Sequence, residues 1–545
     1  MPPSNELIDL DRGRAALAGR SWAEAYDLLA DAPVSQLSGA ELNSLADAAW
    51  WTARIDESIG IRQKAYTASL SEGEEIHAGG IALRLSIEHF TRGDPSVGAG
   101  WLARAHRHLD GQDECVEVGF LPVIESTVAR FGGDMDGAIA LATCATDISG
   151  RVREPNLAAM ATHTLGLALI AAGRVSEGIP LLDEAMTSAV AGELDDYFAG
   201  VVYCNVIDTC LQIADLRRAG EWSRAATAWC ESLRDGSIYP GLCRVNRAEV
   251  AALSGAWAEA EAEALRAVEE IHLFDPTGGA GALYHIGEIR RRRGDVAGAE
   301  DAFGRAADLG HEPQPGLALL RYGEGKVEAA RRALAHEPSP RLSPLRRAQI
   351  LAARTELAIA EGDLADARRS GEALETLSAR FPTPALEAEA TSARGVIALA
   401  KGDPERAADE LQRAFAMWQE MRLPYEAAHT RADLGRALLA RGDTEAGVRA
   451  IRAAASALEG LGAMPEARSV AAAAQSTGGS TPGGLTAREA DVLRLVAAGK
   501  TNREIAAELF ISEHTVARHL QNMFTKLGVT TRSAATAYAY EHGLT

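Results

Sequence analysis

The chain has 545 residues, 47% of them hydrophobic but only 5% aromatic, and carries a formal net charge of −21. That length exceeds one ordinary domain at roughly 100–200 residues each, and the apolar content, largely Ala and Leu, favours helix. The acidity excludes a protein that coats nucleic acid along its whole length. The charge is uneven: from Leu485 onward seven Lys and Arg stand against six Asp and Glu, so the last 61 residues carry +1 and the rest −22. Only the tail is spared the acidity that would repel an anionic polymer.

The chain opens Met1-Pro-Pro-Ser-Asn-Glu6, with no basic region before an apolar core, so no signal peptide is expected. A pattern then recurs: a Gly, four residues, a small residue. It is clearest at Gly133…Ala138, Gly255…Ala260, Gly294…Ala299, Gly362…Ala367 and Gly402…Ala407. Weaker copies start at Arg20, Arg54, Gly93, Gly173, Gly220, Gly325 and Gly442, giving twelve copies 31 to 47 residues apart. Ten starts are Gly, and eleven of the small positions are Ala or Gly, with Ile59 the exception.

The physics of the pattern predicts a helix hairpin. Gly ends a helix because it accepts positive φ. The following Asp caps the next helix, and in Asp403-Pro404 the Pro takes the favoured first helical position. The small residue one turn later lets the partner helix approach. Val396, Ile397 and Leu399 before the turn, and Leu411 and Phe415 after it, supply apolar faces. A lone hairpin cannot bury such a face, whereas stacked neighbours can.

Within the array, Leu157 to Gly173 is the longest apolar stretch without charge, but Thr162, His163, Thr164 and Gly166 interrupt it. A core helix is expected there rather than a membrane span. Four of the six cysteines (Cys204, Cys210, Cys230 and Cys243) fall close together, none in a Cys-x-x-Cys pair. Reduced thiols on core helices are expected, with a redox or metal sensor as the alternative. Trp50, Trp51, Trp222, Trp229 and Trp257 are expected to pack between helices, with a ligand cage as the alternative. No Gly-x4-Gly-Lys-Ser/Thr phosphate loop occurs: Gly323-Glu-Gly-Lys326 is followed by Val327. His-Glu-x-x-His, Gly-x-Ser-x-Gly and a phosphate-receiver pattern are also missing. No enzyme activity, cofactor or metal is expected.

Residues 1–474 read as the array, and 475–484, Gln-Ser-Thr-Gly-Gly-Ser-Thr-Pro-Gly-Gly, as a flexible linker. Residues 485–545 read as a separate module. Thr486…Glu489 and Thr501…Glu504 are capping boxes, and Ser512 is a third N-cap. They place helices near 487–498, 502–509 and 513–527, with a fourth about 532–542 stopped by Gly543. Val492, Leu493 and Val496 stripe the first helix, and Ile505 and Leu509 the second. Phe510, Ile511 and Ser512 alone separate the second and third, which is the helix-turn-helix arrangement.

On the third helix Val516, Leu520, Met523, Phe524 and Leu527 share a core face. His514, Arg518, Gln521, Asn522 and Thr525 lie opposite, with Lys526 at the flank. Polar side chains with one Arg are what a helix in the major groove needs to read base edges. The N-termini of the second and third helices offer N–H groups to phosphates. A solvated polar face is the bland alternative, and His519, bordering the core, suits packing as well as phosphate contact.

Leu485-Thr-Ala-Arg-Glu489, Gly499-Lys-Thr-Asn-Arg-Glu-Ile-Ala506, Ile511-Ser-Glu-His-Thr-Val516, His519, Lys526-Leu-Gly-Val529 and Arg532 resemble the LuxR-type (FixJ/NarL-type) DNA-binding domain. The array, roughly 10–474, resembles tetratricopeptide-like repeats with longer helices, as in large LuxR-type regulators, here without their ATPase domain. The resemblance implies a four-helix module whose third helix enters the major groove and whose fourth often makes a dimer contact over a two-fold operator. The residues placed at DNA are Lys500, Thr501, Asn502, Arg503, Ser512, His514, Thr515, Ala517, Arg518, Gln521, Asn522, Thr525 and Lys526. Ala517 departs from the family, where Lys is frequent, and Arg518 is expected to take part of that role.

The expected fold is therefore all-α, a helical-hairpin solenoid followed by a helix-turn-helix domain. The expected function is a cytoplasmic transcription regulator. It binds double-stranded promoter DNA as a homodimer, contacts RNA polymerase, and takes an unidentified small-molecule or protein effector on its array. The alternative is an interaction scaffold whose DNA contact is weak or secondary.

Overall fold

The computed structural model describes residues 4–233, 239–272, 278–339, 342–478, 485, 487–509, 511, 513–542 and 544. Every regular element among them is helical, and no strand is present. From Ser4 to Leu461 the helices alternate as twelve hairpins. Inside each hairpin one residue turns the chain with positive φ: Arg20, Ala53, Gly93, Gly133, Gly173, Ala214, Gly255, Gly294, Gly325, Gly362, Gly402 and Gly442, at 54° to 99°.

Two turns differ from the sequence reading. The second is made by Ala53, not Arg54, and the sixth by Ala214, not Gly220. A left-handed alanine costs about 1–2 kcal/mol, so glycine is the visible marker and these turns carry none. The correction restores the pattern. The small residue of the second hairpin becomes Ser58 instead of Ile59, fully buried, its hydroxyl donating to the Ala46 carbonyl at 2.7 Å. That of the sixth becomes Ala219, which is fully buried, and Gly173, Ala214 and Gly255 fall at equal steps of 41 residues.

The small positions let helices touch. A Cβ at Gly178 would lie 2.6 Å from the carbonyl oxygen of Gly166 on the facing helix, where a glycine also stands. Asp134, Asp295, Asp363 and Asp403 cap as expected, and Asp215 does so after the corrected sixth turn, each accepting an N–H three residues on at 2.9 to 3.3 Å.

The chain divides into two units. The first holds Met1–Arg291, Asp295–Ala393 and Glu420–Leu423. Its interior carries a paired charge network: Arg62, with 1% of its side chain exposed, donates to Asn43 at 2.6 Å, Asp47 at 2.8 Å and Glu88 at 3.0 Å. Hairpins far apart in sequence also meet within this unit. Trp50 and Trp51 pack on Tyr239 at 5.7 and 5.8 Å between centroids, and Trp229 on Tyr203 and Tyr239 at 5.3 and 5.4 Å. Trp257 is buried with its indole donating to the Ala252 carbonyl at 3.0 Å, and Trp222 donates to Asp183 at 3.3 Å. The tryptophans therefore pack between helices. The apolar stretch is the helix Pro155–Ala171, with Leu157, Ala161, Ala168 and Ile170 in the core. Among the described residues no helix is long and apolar enough to cross a membrane.

The second unit holds Arg292–Gly294, Arg394–Gln419 and Pro424–Thr545. Ala398, Ala407, Leu411, Leu434 and Ala437 make one of its buried clusters. The helix Met464–Gly478 packs on the one before it and runs four residues into the stretch expected as linker. Residues 479–484, the rest of that stretch, lie outside the described residues.

Candidate nucleic-acid interface

Four helices make the C-terminal module: Ala487–Ala497, Asn502–Glu508, Glu513–Leu527 and Arg532–Glu541. Its own core gathers Leu485, Val492, Leu493, Val496, Ile505, Val516, Leu520, Met523, Ala535 and Ala539, flanked by half-buried Leu509, Phe524, Leu527 and Tyr538. The core face foreseen on the third helix is thus the buried one. The opposite face carries Ala517, Arg518, Gln521, Asn522 and Thr525, all exposed. The Thr525 hydroxyl donates to the Gln521 carbonyl at 3.0 Å, so one of these donors is engaged within the helix. Thr515 is half-buried and already has a partner. Of His514, the helix position alone is described. The N-cap expectations at Ser512 and Thr486 and the stop at Gly543 lie outside the described residues.

The second helix opens on the foreseen capping box. Glu504 accepts from the Thr501 N–H at 2.7 Å and its hydroxyl at 2.8 Å, and the Glu504 N–H donates to Thr501 Oγ1 at 3.3 Å. The Thr501 N–H, then its hydroxyl, hold the Glu504 carboxyl below its usual range. These N–H groups are consequently taken up inside the protein.

The cations of the module differ in what they hold. Arg494 pairs with Asp491 at 2.6 Å, and Lys500 with Glu508. Lys526, foreseen at the flank of the polar face, pairs at 2.7 Å with Glu489, whose side chain is 5% exposed. Arg532 donates to Asn502 Oδ1 at 3.0 Å and to the Lys500 carbonyl, tying the fourth helix to the loop before the second. Arg503 and Arg518 are exposed, with no ion pair among the described residues. Two positions carry structure that the sequence reading did not assign. Glu489 is the buried partner of a lysine 37 residues away, for which no local signal exists. Thr531 caps the fourth helix by accepting from the Ala534 N–H at 3.2 Å, which a Thr before a helix does signal.

Among the described residues no group of three or more His, Cys, Asp or Glu side chains is arranged to hold a metal ion. The arrangement is a small helical domain with one polar, cation-bearing helix face, suited to hydrogen bonding with a groove.

Residues 484–539 match the family model described as "Bacterial regulatory proteins, luxR family". The Bacillus subtilis transcriptional regulatory protein LiaR is 48% identical over 60 residues, 11% of this chain and 28% of that protein. A Haemophilus influenzae nitrate/nitrite response regulator homologue is 53% identical over 57 residues, 10% of this chain and 27% of that protein. The spore germination protein GerE of B. subtilis is 55% identical over 51 residues, 9% of this chain and 69% of that protein. The chain thus spans little more than a quarter of the length of the first two relatives. Among solved structures, a chain of the APC/C hetero-tetramer Cut9–Hcn1 aligns over 98% of this chain and 96% of its own at 13% identity, with a TM-score of 0.44.

Proposed function

We propose, for a chain that belongs to the luxR family of bacterial regulatory proteins, that it regulates transcription by sequence-specific binding of promoter DNA. The DNA-binding domain of that family is its C-terminal module. The observation that carries the reading is the division of the 513–527 helix into a buried face of Val516, Leu520 and Met523 and an exposed face bearing Arg518, Gln521 and Asn522. Arg518, Gln521 and Asn522 are the base-reading set, since these side chains offer the donors and acceptors that base edges distinguish. Arg503, at the start of the second helix, contacts phosphates. Lys500 and Lys526 reach a phosphate only by leaving Glu508 and Glu489. Two modules bind a two-fold site as a homodimer. Residues 1–474 form a sensor or interaction region, joined through 475–484 to 485–545. The array takes an effector and alters how the modules are held, in a cytoplasmic protein that acts on RNA polymerase at the promoter.

The test is genome-wide occupancy of the full-length protein beside Arg518→Ala. Discrete palindromic sites that vanish in the variant support the reading. Diffuse occupancy indifferent to Arg518 overturns it and leaves an interaction scaffold.

A further inference from the structure

The geometry points to a peroxide-reactive dithiol inside the array: Cys230 and Cys243 form a reversible disulfide, and Cys204 is the third thiol that readies Cys243. This is independent of DNA binding.

The three cysteines lie on consecutive helices, Asp196–Gln212, Leu216–Ser232 and Tyr239–Leu253. The sulfurs of Cys230 and Cys243 are 2.9 Å apart. A disulfide closes at about 2.05 Å, so about 0.9 Å of approach makes the bond, within the reach of small side-chain rotations. Cys243 accepts a hydrogen bond from the Cys230 thiol, and the Cys204 and Cys230 thiols, with the Arg247 guanidinium, hold its thiol well below the usual range against the opposing effect of burial. Those two thiols are correspondingly pushed up. The thiolate is the form that attacks an oxidant. The other member of the sequence cluster, Cys210, stands apart in this respect: it is fully buried and burial pushes its thiol up to about 12. All six cysteines are free thiols in the structure.

The oxidant is a hydroperoxide, with hydrogen peroxide as the smallest member. The Cys243 thiolate attacks one peroxide oxygen. The S–O bond forms, the O–O bond breaks, and the departing hydroxide takes a proton to leave as water. The Cys230 sulfur then attacks the Cys243 sulfenic acid. The S–S bond forms, the S–O bond breaks, and the hydroxide released takes the Cys230 proton as a second water. Two thiols lose two electrons to one peroxide. Cys243 is 4% exposed, which admits a molecule of peroxide size before a bulky disulfide. Cys230 is half-buried and is the sulfur that an external thiol attacks on reduction. Trp229 precedes Cys230 and packs on Tyr203 and Tyr239, so the indole is placed to report the change.

The experiment uses the reduced full chain, treated with hydrogen peroxide, blocked and digested with trypsin. The expected product is a linked pair of peptides, 225–234 with 235–244. The thiol count in denaturant falls from six to four, tryptophan emission falls with it, and dithiothreitol restores both. Cys243→Ser keeps all five remaining thiols, Cys230→Ser stops at the Cys243 sulfenic acid without the 225–234/235–244 link, and Cys204→Ser forms the same link more slowly. Helical circular dichroism identifies any variant that does not fold; because Cys230 is partly exposed, its variant keeps the test open if Cys243→Ser unfolds. The proposal is overturned if the folded wild-type chain keeps six thiols, or loses them only at exposed Cys144 or through links between chains. It is equally overturned if folded Cys243→Ser consumes peroxide as fast as the wild type.

Discussion

Lys526 and Arg518 sit on one helix, and replacing each by alanine separates a structural cation from a reading one. Lys526 holds Glu489 at 2.7 Å, and the Glu489 side chain is 5% exposed while that of Lys526 is 39% exposed. Breaking a fully buried pair costs about 3–5 kcal/mol, and an exposed pair contributes about 0–1 kcal/mol. This pair has one end in water, and Glu489 has further interactions, so Lys526→Ala should cost about 2 kcal/mol. At about 1.4 kcal/mol per tenfold, that speeds amide exchange through opening of the module roughly 30-fold. The assay is hydrogen exchange of the full chain without DNA, read on peptides covering 513–527. Arg518→Ala, at an exposed side chain with no ion pair among the described residues, should stay within about 0.5 kcal/mol, or less than about threefold. Replacing both partners, as Lys526→Met with Glu489→Gln, should recover most of the loss, because no buried charge is then left behind. Unchanged exchange in Lys526→Ala, together with a shallower salt dependence of DNA binding, would refute the reasoning and make Lys526 a phosphate contact.

Arg503→Ala should weaken binding alike on specific and unrelated DNA and lower the salt slope by about 0.9 per module; a change in sequence preference instead would place Arg503 at a base. The capping box gives a pH dependence. The Glu504 carboxyl is held below its ordinary 4.5 in the folded chain, so its contribution to stability is present above that pH and is lost as pH falls through the lower folded value. Thermal melts from neutral pH down through 4.5 should show Glu504→Gln flattening the acid side of the wild-type curve. In the array, Gly178→Ala forces a Cβ to within 2.6 Å of the Gly166 carbonyl oxygen and should cost about 1–3 kcal/mol. Gly304→Ala, exposed in the helix Val296–Asp308 with nothing within 4 Å of the new Cβ, should stabilise by about 0.5–1 kcal/mol. Urea midpoints that move the same way for both would sink the close-approach account.

The readable parts of the fold were those written in local chemistry. Each tight turn needs positive φ and each close approach a small side chain, so Gly and Ala at fixed spacing revealed the hairpins. Where Ala53 and Ala214 take the glycine's place, the marker disappears and the register slips, although the physics of the turn is unchanged. The two faces of the third helix were legible because 100° per residue sorts Val516, Leu520 and Met523 from Arg518, Gln521 and Asn522. Long-range pairings were not legible. Nothing near Lys526 announces Glu489, and nothing near Arg532 announces Asn502 and the Lys500 carbonyl. The cysteines show the same limit. Spacings of 26 and 13 residues between Cys204, Cys230 and Cys243 match no motif, and only the packing of three consecutive helices brings the sulfurs together.

The distribution of cations bears on the proposed pairing of modules. With Arg494, Lys500, Lys526 and Arg532 engaged inside the domain, Arg503 and Arg518 are the described cations free to meet DNA. Each phosphate that such a cation neutralises adds about 0.9 to the salt exponent, so these described cations give a weak hold on unrelated sequence. The acidic array, at −22 for the residues before 485, adds repulsion rather than affinity. A single module of this kind gains little from electrostatics, and the second becomes effective when it is presented at high local concentration on the other half of a two-fold site. Affinity then depends on how firmly two modules are held together. Under the proposed function, a shape change in the array that alters this hold acts on the dominant factor, and regulation then needs no contact between array and DNA.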